Sequence, residues 1–163
     1  SAEINNSNIL SNTRDGLTLR NGSQALVVNS VIDGSQSHGV YINANSVMQT
    51  DNLTVKNSSH KNISLSDNSV LRFFSSTVES DSETNLAIMG GSRVIAKGST
   101  MNFSGSSAVT LYDSATLEVR STSNSFTGTI ACTNTANMGV SIVRNNTGSS
   151  WDNSSSPTTC PVH

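Results

Sequence analysis

Side chains able to do acid–base, metal or nucleophilic chemistry are few in this sequence and rarely adjacent. Eleven Asp or Glu, nine Lys or Arg and three His are spread over 163 residues. Asp81 and Glu83 share one short segment with Glu79 nearby, and Asp51 and Lys56 bracket Asn52. An acidic segment of this kind can offer oxygen ligands to calcium, but a solvated turn is the simpler reading. No two carboxylates fall into the close pair that glycoside hydrolysis uses. His38, between Ser37 and Gly39, and His60 read as turn residues. The two cysteines, Cys132 and Cys160, form neither a Cys-x-x-Cys pair nor a Cys/His zinc spacing. No catalytic set, cofactor motif or metal site is therefore assigned.

Composition narrows the partners. The net charge is -2 and charged residues make up 12% of the chain, which leaves no basic footprint for nucleic acid. No apolar run approaches the roughly 18 residues that insertion into a bilayer needs. No basic segment followed by an apolar one opens the chain, so an export signal is expected to have been removed or to lie outside it. Ser, Asn, Thr and Gly fill most of the remainder. Such a mixture occurs in disordered chains and in folds with many tight turns.

The elements that position these groups follow from a repeat, which excludes disorder. Leu17, Val40, Ile63, Leu86, Val109 and Cys132 are spaced by 23 residues. Leu19, Ile42, Leu65, Ile88 and Leu111 keep that spacing two places on, as do Ser23, Ser46, Ser69, Ser92 and Ala115. Further columns hold Ala25, Met48, Leu71, Val94, Leu117 and Val140, then Val27, Thr50, Phe73, Ala96, Val119 and Ile142. Within each repeat the apolar period is two, the period of a strand. Between the runs stand residues that tolerate positive φ: Gly22, Asn45, Asn68 and Gly91, and Asn6, Asn29, Asn52 and Gly98. Helix signals are absent. Three short strands per repeat, each advancing one layer, predict an all-β parallel β-helix of about six to seven coils, roughly 34 Å long. Its register is expected to run without insertion from Ile9 to Ile142. One domain is expected over residues 1–147, with its first coil incomplete, and a capping tail over 148–163. The incomplete first coil suggests the C-terminal piece of a longer solenoid.

Gly39-Val40-Tyr41-Ile42 followed by Asn52-Leu53-Thr54-Val55-Lys56-Asn57 resembles the repeat of right-handed parallel β-helix proteins, the pectin-lyase-like superfamily. Phage tailspikes and bacterial surface proteins belong to it. The resemblance covers about Ile4 to Asn146. It implies right-handed winding and is nearly silent on function, because one scaffold carries lyases, hydrolases, epimerases and non-catalytic stalks. Ser37-His38-Gly39 is similar to the Gly-His-Gly element of β-helical polygalacturonases. That family's Asn-Thr-Asp, Asp-Asp and Arg-Ile-Lys runs do not occur here.

Alternation then sorts the outward residues. Tyr41 and Tyr112, with Arg20 and Asn43, form a candidate glycan strip, since rings stack on sugar C–H faces while amides and guanidinium groups bond hydroxyls. Leu26, Val28, Val47, Val70, Phe74 and Ile95 should form an exposed apolar patch, rimmed by Arg72, Arg93, Lys97 and Glu118. The patch is expected to meet either a homo-oligomer partner, such as a trimer mate, or the chain's own tail through Trp151 and Val162. Thr54, Thr77 and Thr100 form one outward ladder between Val31 and Ser123. Cys132 in its inward column and Cys160 in the tail are expected to form a disulfide. It would add about 3–4 kcal/mol and favour an exported protein.

The functional expectation is a non-catalytic structural or adhesive module, secreted, on a cell surface or on a virion, and able to bind surface polysaccharide. The alternatives are part of a polysaccharide-degrading lyase or hydrolase with its catalytic residues outside this chain, and an ice-binding solenoid.

Overall fold

The computed structural model describes residues 1–80, 85–103, 109–120, 125–127, 130–133 and 142–145. Its strands are β1 (Ala2–Asn5), β2 (Asn8–Leu10), β3 (Leu17–Leu19), β4 (Gln24–Asp33), β5 (His38–Ile42), β6 (Val47–Lys56), β7 (Lys61–Leu65), β8 (Val70–Phe74) and β9 (Thr77–Ser80). They continue as β10 (Leu86–Ile88), β11 (Arg93–Lys97), β12 (Thr100–Phe103), β13 (Val109–Tyr112), β14 (Thr116–Val119), β15 (Ser125–Thr127), β16 (Ile130–Thr133) and β17 (Ile142–Asn145). All pairings are parallel and join strands of successive coils.

Three faces result. The first stacks β3, β5, β7, β10, β13 and β16. The second runs from β1 through the first halves of β4 and β6 to β8, β11, β14 and β17. The third runs from β2 through the second halves of β4 and β6 to β9, β12 and β15. The ten-residue strands β4 and β6 span two faces because Asn29 (φ 48°) and Asn52 (φ 57°) turn the chain mid-strand. Asn adopts this left-handed conformation at little cost. The other corner sits at Asn21-Gly22, Ala44-Asn45, Asp67-Asn68, Gly90-Gly91 and Asp113-Ser114, where both residues of each pair have positive φ.

The core is a set of vertical columns. Leu19, Ile42, Leu65, Ile88 and Leu111 are all buried, and Ile42 pairs with Leu65 in register. Burying each such side chain is worth about 1.5–3 kcal/mol. Buried Ser46, Ser69 and Ser92 line one inner corner. The Ser69 and Ser92 hydroxyl oxygens accept from the backbone N–H of Ser46 and Ser69, one coil below each. Ser30, Ser76 and Ser99 repeat the device at a second corner, accepting from Ser7, Leu53 and Ser76. The corners of a narrow solenoid leave some N–H groups outside the strand ladder, and a small hydroxyl satisfies them where a larger side chain would not fit. At the third corner a Cβ on Gly39 would lie 2.6 Å from Val55 Cγ1 and 2.7 Å from the Asn62 carbonyl oxygen, so the close backbone approach requires glycine.

Two expectations are corrected. Five one-coil steps separate Leu17 from Ile130 on the first face, so there are about five full turns, slightly fewer than six to seven. The uniform spacing also ends in the later coils. Thr100 pairs with Ser125, a step of 25, Val109 with Ile130, a step of 21, and Thr116 with Ile142, a step of 26. Cys132 thus stacks on Leu111, not Val109, and Val143, not Val140, follows Leu117. Period-two patterning is unchanged by a two-residue slip, so Ile130-Ala131-Cys132 fits the apolar alternation in either register. The Ala2–Thr133 and Ile142–Asn145 strands fall within the expected domain; the expected tail, 148–163, lies outside the described residues.

Candidate functional site

On the first face, β5 and the ends of its neighbours bring rings and charges together. Tyr41 projects outward from β5 between Thr18 below and Ser64 above. The Arg20 guanidinium lies 5.4 Å from the Tyr41 ring centre. The His38 ring also stacks on Tyr41, with ring centres 5.2 Å apart and planes inclined by 23°. His60 follows at 4.9 Å from His38, tilted by 60°. Asn43 Nδ2 donates to Tyr41 Oη at 3.3 Å, and Asn43 Oδ1 is buried with no partner.

Asp15, one coil below His38, fixes this group. Its Oδ1 lies 3.1 Å from His38 Nδ1 and accepts from the His38 backbone N–H at 3.2 Å, while its Oδ2 accepts from the Thr18 hydroxyl at 3.1 Å. Burial pushes the Asp15 carboxyl up. Hydrogen bonds from the Ser37 hydroxyl, the His38 backbone, the His38 ring and Thr18 outweigh it and hold the pKa at about 2. Burial, then the nearby charges of Lys61 and His38, push His60 below the usual imidazole range. His38 is therefore the first residue of a strand within an ordered cluster, not a turn residue. The signal was present in the sequence: Asp15 and His38 are separated by one repeat.

The candidate glycan strip divides. Arg20, Tyr41 and Asn43 come together, but Tyr112 stands on β13, three coils above Asn43 and half-buried. Between them Ser64, Ala87 and Thr110, the outward residues of this face, are buried. The column above Tyr41 is therefore closed by burial, and Tyr112 stands apart from Arg20, Tyr41 and Asn43.

On the second face Leu26, Val28, Val47, Val70 and Phe74 are half-buried and Ile95 is buried at 8% exposure. They do not form a continuous exposed patch, because polar residues interleave. Gln49 and Arg72 separate Leu26 from Ile95, and Asp51 separates Val28 from Phe74. Buried Glu118 is held by Arg93 and by Arg120, whose Nε lies 2.6 Å from Glu118 Oε1.

On the third face Val31, Thr54, Thr77 and Thr100 stack in register, and Ser125, not Ser123, follows. This is one threonine column, where a flat ice-matching array needs two. Cys132 is half-buried against the core, whereas Cys160 lies outside the described residues, as do Asp81 and Glu83. Among the described residues no three His, Cys, Asp or Glu side chains are grouped to hold a metal ion.

A family model for the right-handed β-helix region matches residues 1–155. No curated protein and no solved structure matches the chain.

Proposed function

The chain belongs to the right-handed β-helix family, and from that premise we propose that it is a non-catalytic structural or adhesive module whose first face binds polysaccharide. One observation carries the reading: the Arg20–Tyr41–His38 stack stands on a face whose backbone is rigidly paired above and below. A ring in contact with a guanidinium and an imidazole keeps its orientation, so little conformational entropy is lost when a sugar stacks against the assembly. Arg20 and the imidazoles supply donors for sugar hydroxyls. The setting that suits such a module is a cell surface, a virion or the secreted space. We include in this reading a Cys132–Cys160 link that ties the tail to the stack.

The test is a glycan array followed by calorimetry on the best ligand. Tyr41→Ala should weaken binding at least tenfold, and Tyr112→Ala should change it little, because Tyr41 belongs to the Arg20–His38 group and Tyr112 stands three coils away from it. Equal affinity for the parent and Tyr41→Ala would remove the assignment.

A second reading, part of a polysaccharide-degrading enzyme completed outside this chain, draws on the Asp15–His38 contact, since a carboxylate on Nδ1 orients an imidazole for proton transfer. Release of reducing or unsaturated sugar ends by the chain, lost in His38→Ala, would favour it over the adhesive reading.

A further inference from the structure

The second face carries exposed charges. Asp51, Arg72 and Lys97 are exposed, and none of them joins the ion pairs among the described residues. Their order along the stack is not random. Val28, Asp51, Phe74 and Lys97 occupy one outward position on consecutive coils, and Arg120 follows. Asp51, Phe74, Lys97 and Arg120 line a single concavity of about 640 Å³. An acidic group thus stands one coil below the Phe74 ring, and basic groups stand one and two coils above it. Two places away along the strands, Glu3 lies three coils below Arg72, again acidic toward the start of the stack. Half-buried Val47 and Val70 stack beside these columns.

We propose that this face docks against the same face of a second copy of the chain, antiparallel, about a two-fold axis running along β8. That operation reverses the coil order and keeps each position along the strand. Phe74 and Val70 then meet their own counterparts, Asp51 meets the partner's Lys97, and Lys97 meets the partner's Asp51, giving two symmetric ion pairs on either side of the Phe74 contact. Parallel packing, as in a three-fold stalk, would set each coil against its equal, so the level of Asp51 would face the partner's Asp51 level and the level of Lys97 the partner's Lys97 level, with no exchange of acidic and basic levels. The charge order therefore favours the antiparallel pair. Arg72 lies on the same coil as Phe74, so the axis also brings two Arg72 side chains together, an unfavourable contact that the interface tolerates and that removing the charge should relieve.

Light scattering over a dilution series tests this. The parent should reach twice the 17.1 kDa chain mass and dissociate as salt is raised. Asp51→Lys and Lys97→Asp should each give the single-chain mass. Combining the two substitutions should restore the pair, because the same two positions would then face each other with their signs exchanged. Arg72→Gln should tighten the pair about fivefold. Circular dichroism of each variant should match the parent, and Tyr41→Ala should leave the mass unchanged, which separates this surface from the glycan face. A parent that stays at one chain mass, assembles as three chains, or keeps its pair in both single variants would overturn the proposal. So would a double variant that stays single while folded.

Discussion

Two inner columns of this solenoid repeat one chemistry from coil to coil, whereas two of its outer columns change at every step. Inside, Leu19, Ile42, Leu65, Ile88 and Leu111 differ by little more than a branch point, and Ser46, Ser69 and Ser92 are identical. Outside, Thr18, Tyr41, Ser64, Ala87 and Thr110 share one position, and Val28, Asp51, Phe74, Lys97 and Arg120 share another. An inner side chain must fit the ones above and below it in a core one residue wide. An outer side chain needs only to leave the strand paired. The inner columns therefore determine the winding, and the outer ones are free to carry binding.

Phe73 and Phe74 place that contrast on adjacent residues, one at 1% exposure and the other half-buried on the outer surface. Phe73→Ala should cost about 3–5 kcal/mol. Phe74→Ala, read in a monomeric background such as Lys97→Asp, should cost under about 1 kcal/mol. Urea unfolding measures both, and equal losses would erase the distinction between inside and outside.

Cys132 extends the comparison to the end of the stack. If its proposed link to Cys160 closes the tail, Cys132→Ser should lower stability by about 3 kcal/mol. The parent should also show an unalkylated pair by mass spectrometry until it is reduced. Labelling of both thiols without reductant would contradict the link.

A smaller effect sharpens the outer side. Asp15 has a pKa of about 2 against an ordinary 3.8. Its depressed value means that its contribution to stability is present above the unfolded pKa and lost as pH falls through the folded one. That contribution, about 1–2 kcal/mol at neutral pH, should disappear between roughly pH 4 and pH 2, and Asp15→Asn should flatten this part of the profile. A parent and variant with parallel acid-unfolding curves would show that Asp15 is not held by its neighbours.

The inner half of this comparison was legible in the sequence. Apolar and serine columns one repeat apart gave the strands, corners and coil stacking, because residues that touch vertically must match. The register shifted by two residues, which a period-two pattern tolerates, at Ile130-Ala131-Cys132 and at Ser125; at Val140 to Val143 it shifted by three, which moves Ile142 from an inward to an outward column. The outer half was less legible. Alternation marks Tyr41 and Tyr112 alike as outward but does not show that Ser64, Ala87 and Thr110, above Tyr41, are buried, nor that Asp15 reaches His38. Pairs such as Asp15–His38 and Arg93–Glu118 depend on which side chains reach across one coil, and alternation does not encode reach.

Nuclear Overhauser contacts between methyl groups test the stacking itself. In a methyl-labelled sample, Ile42 should show cross-peaks to Leu19 and Leu65, and Ile88 to Leu65 and Leu111, forming one unbroken ladder. Strong contacts from Ile42 to methyls at other sequence separations, with none to Leu65, would contradict the account.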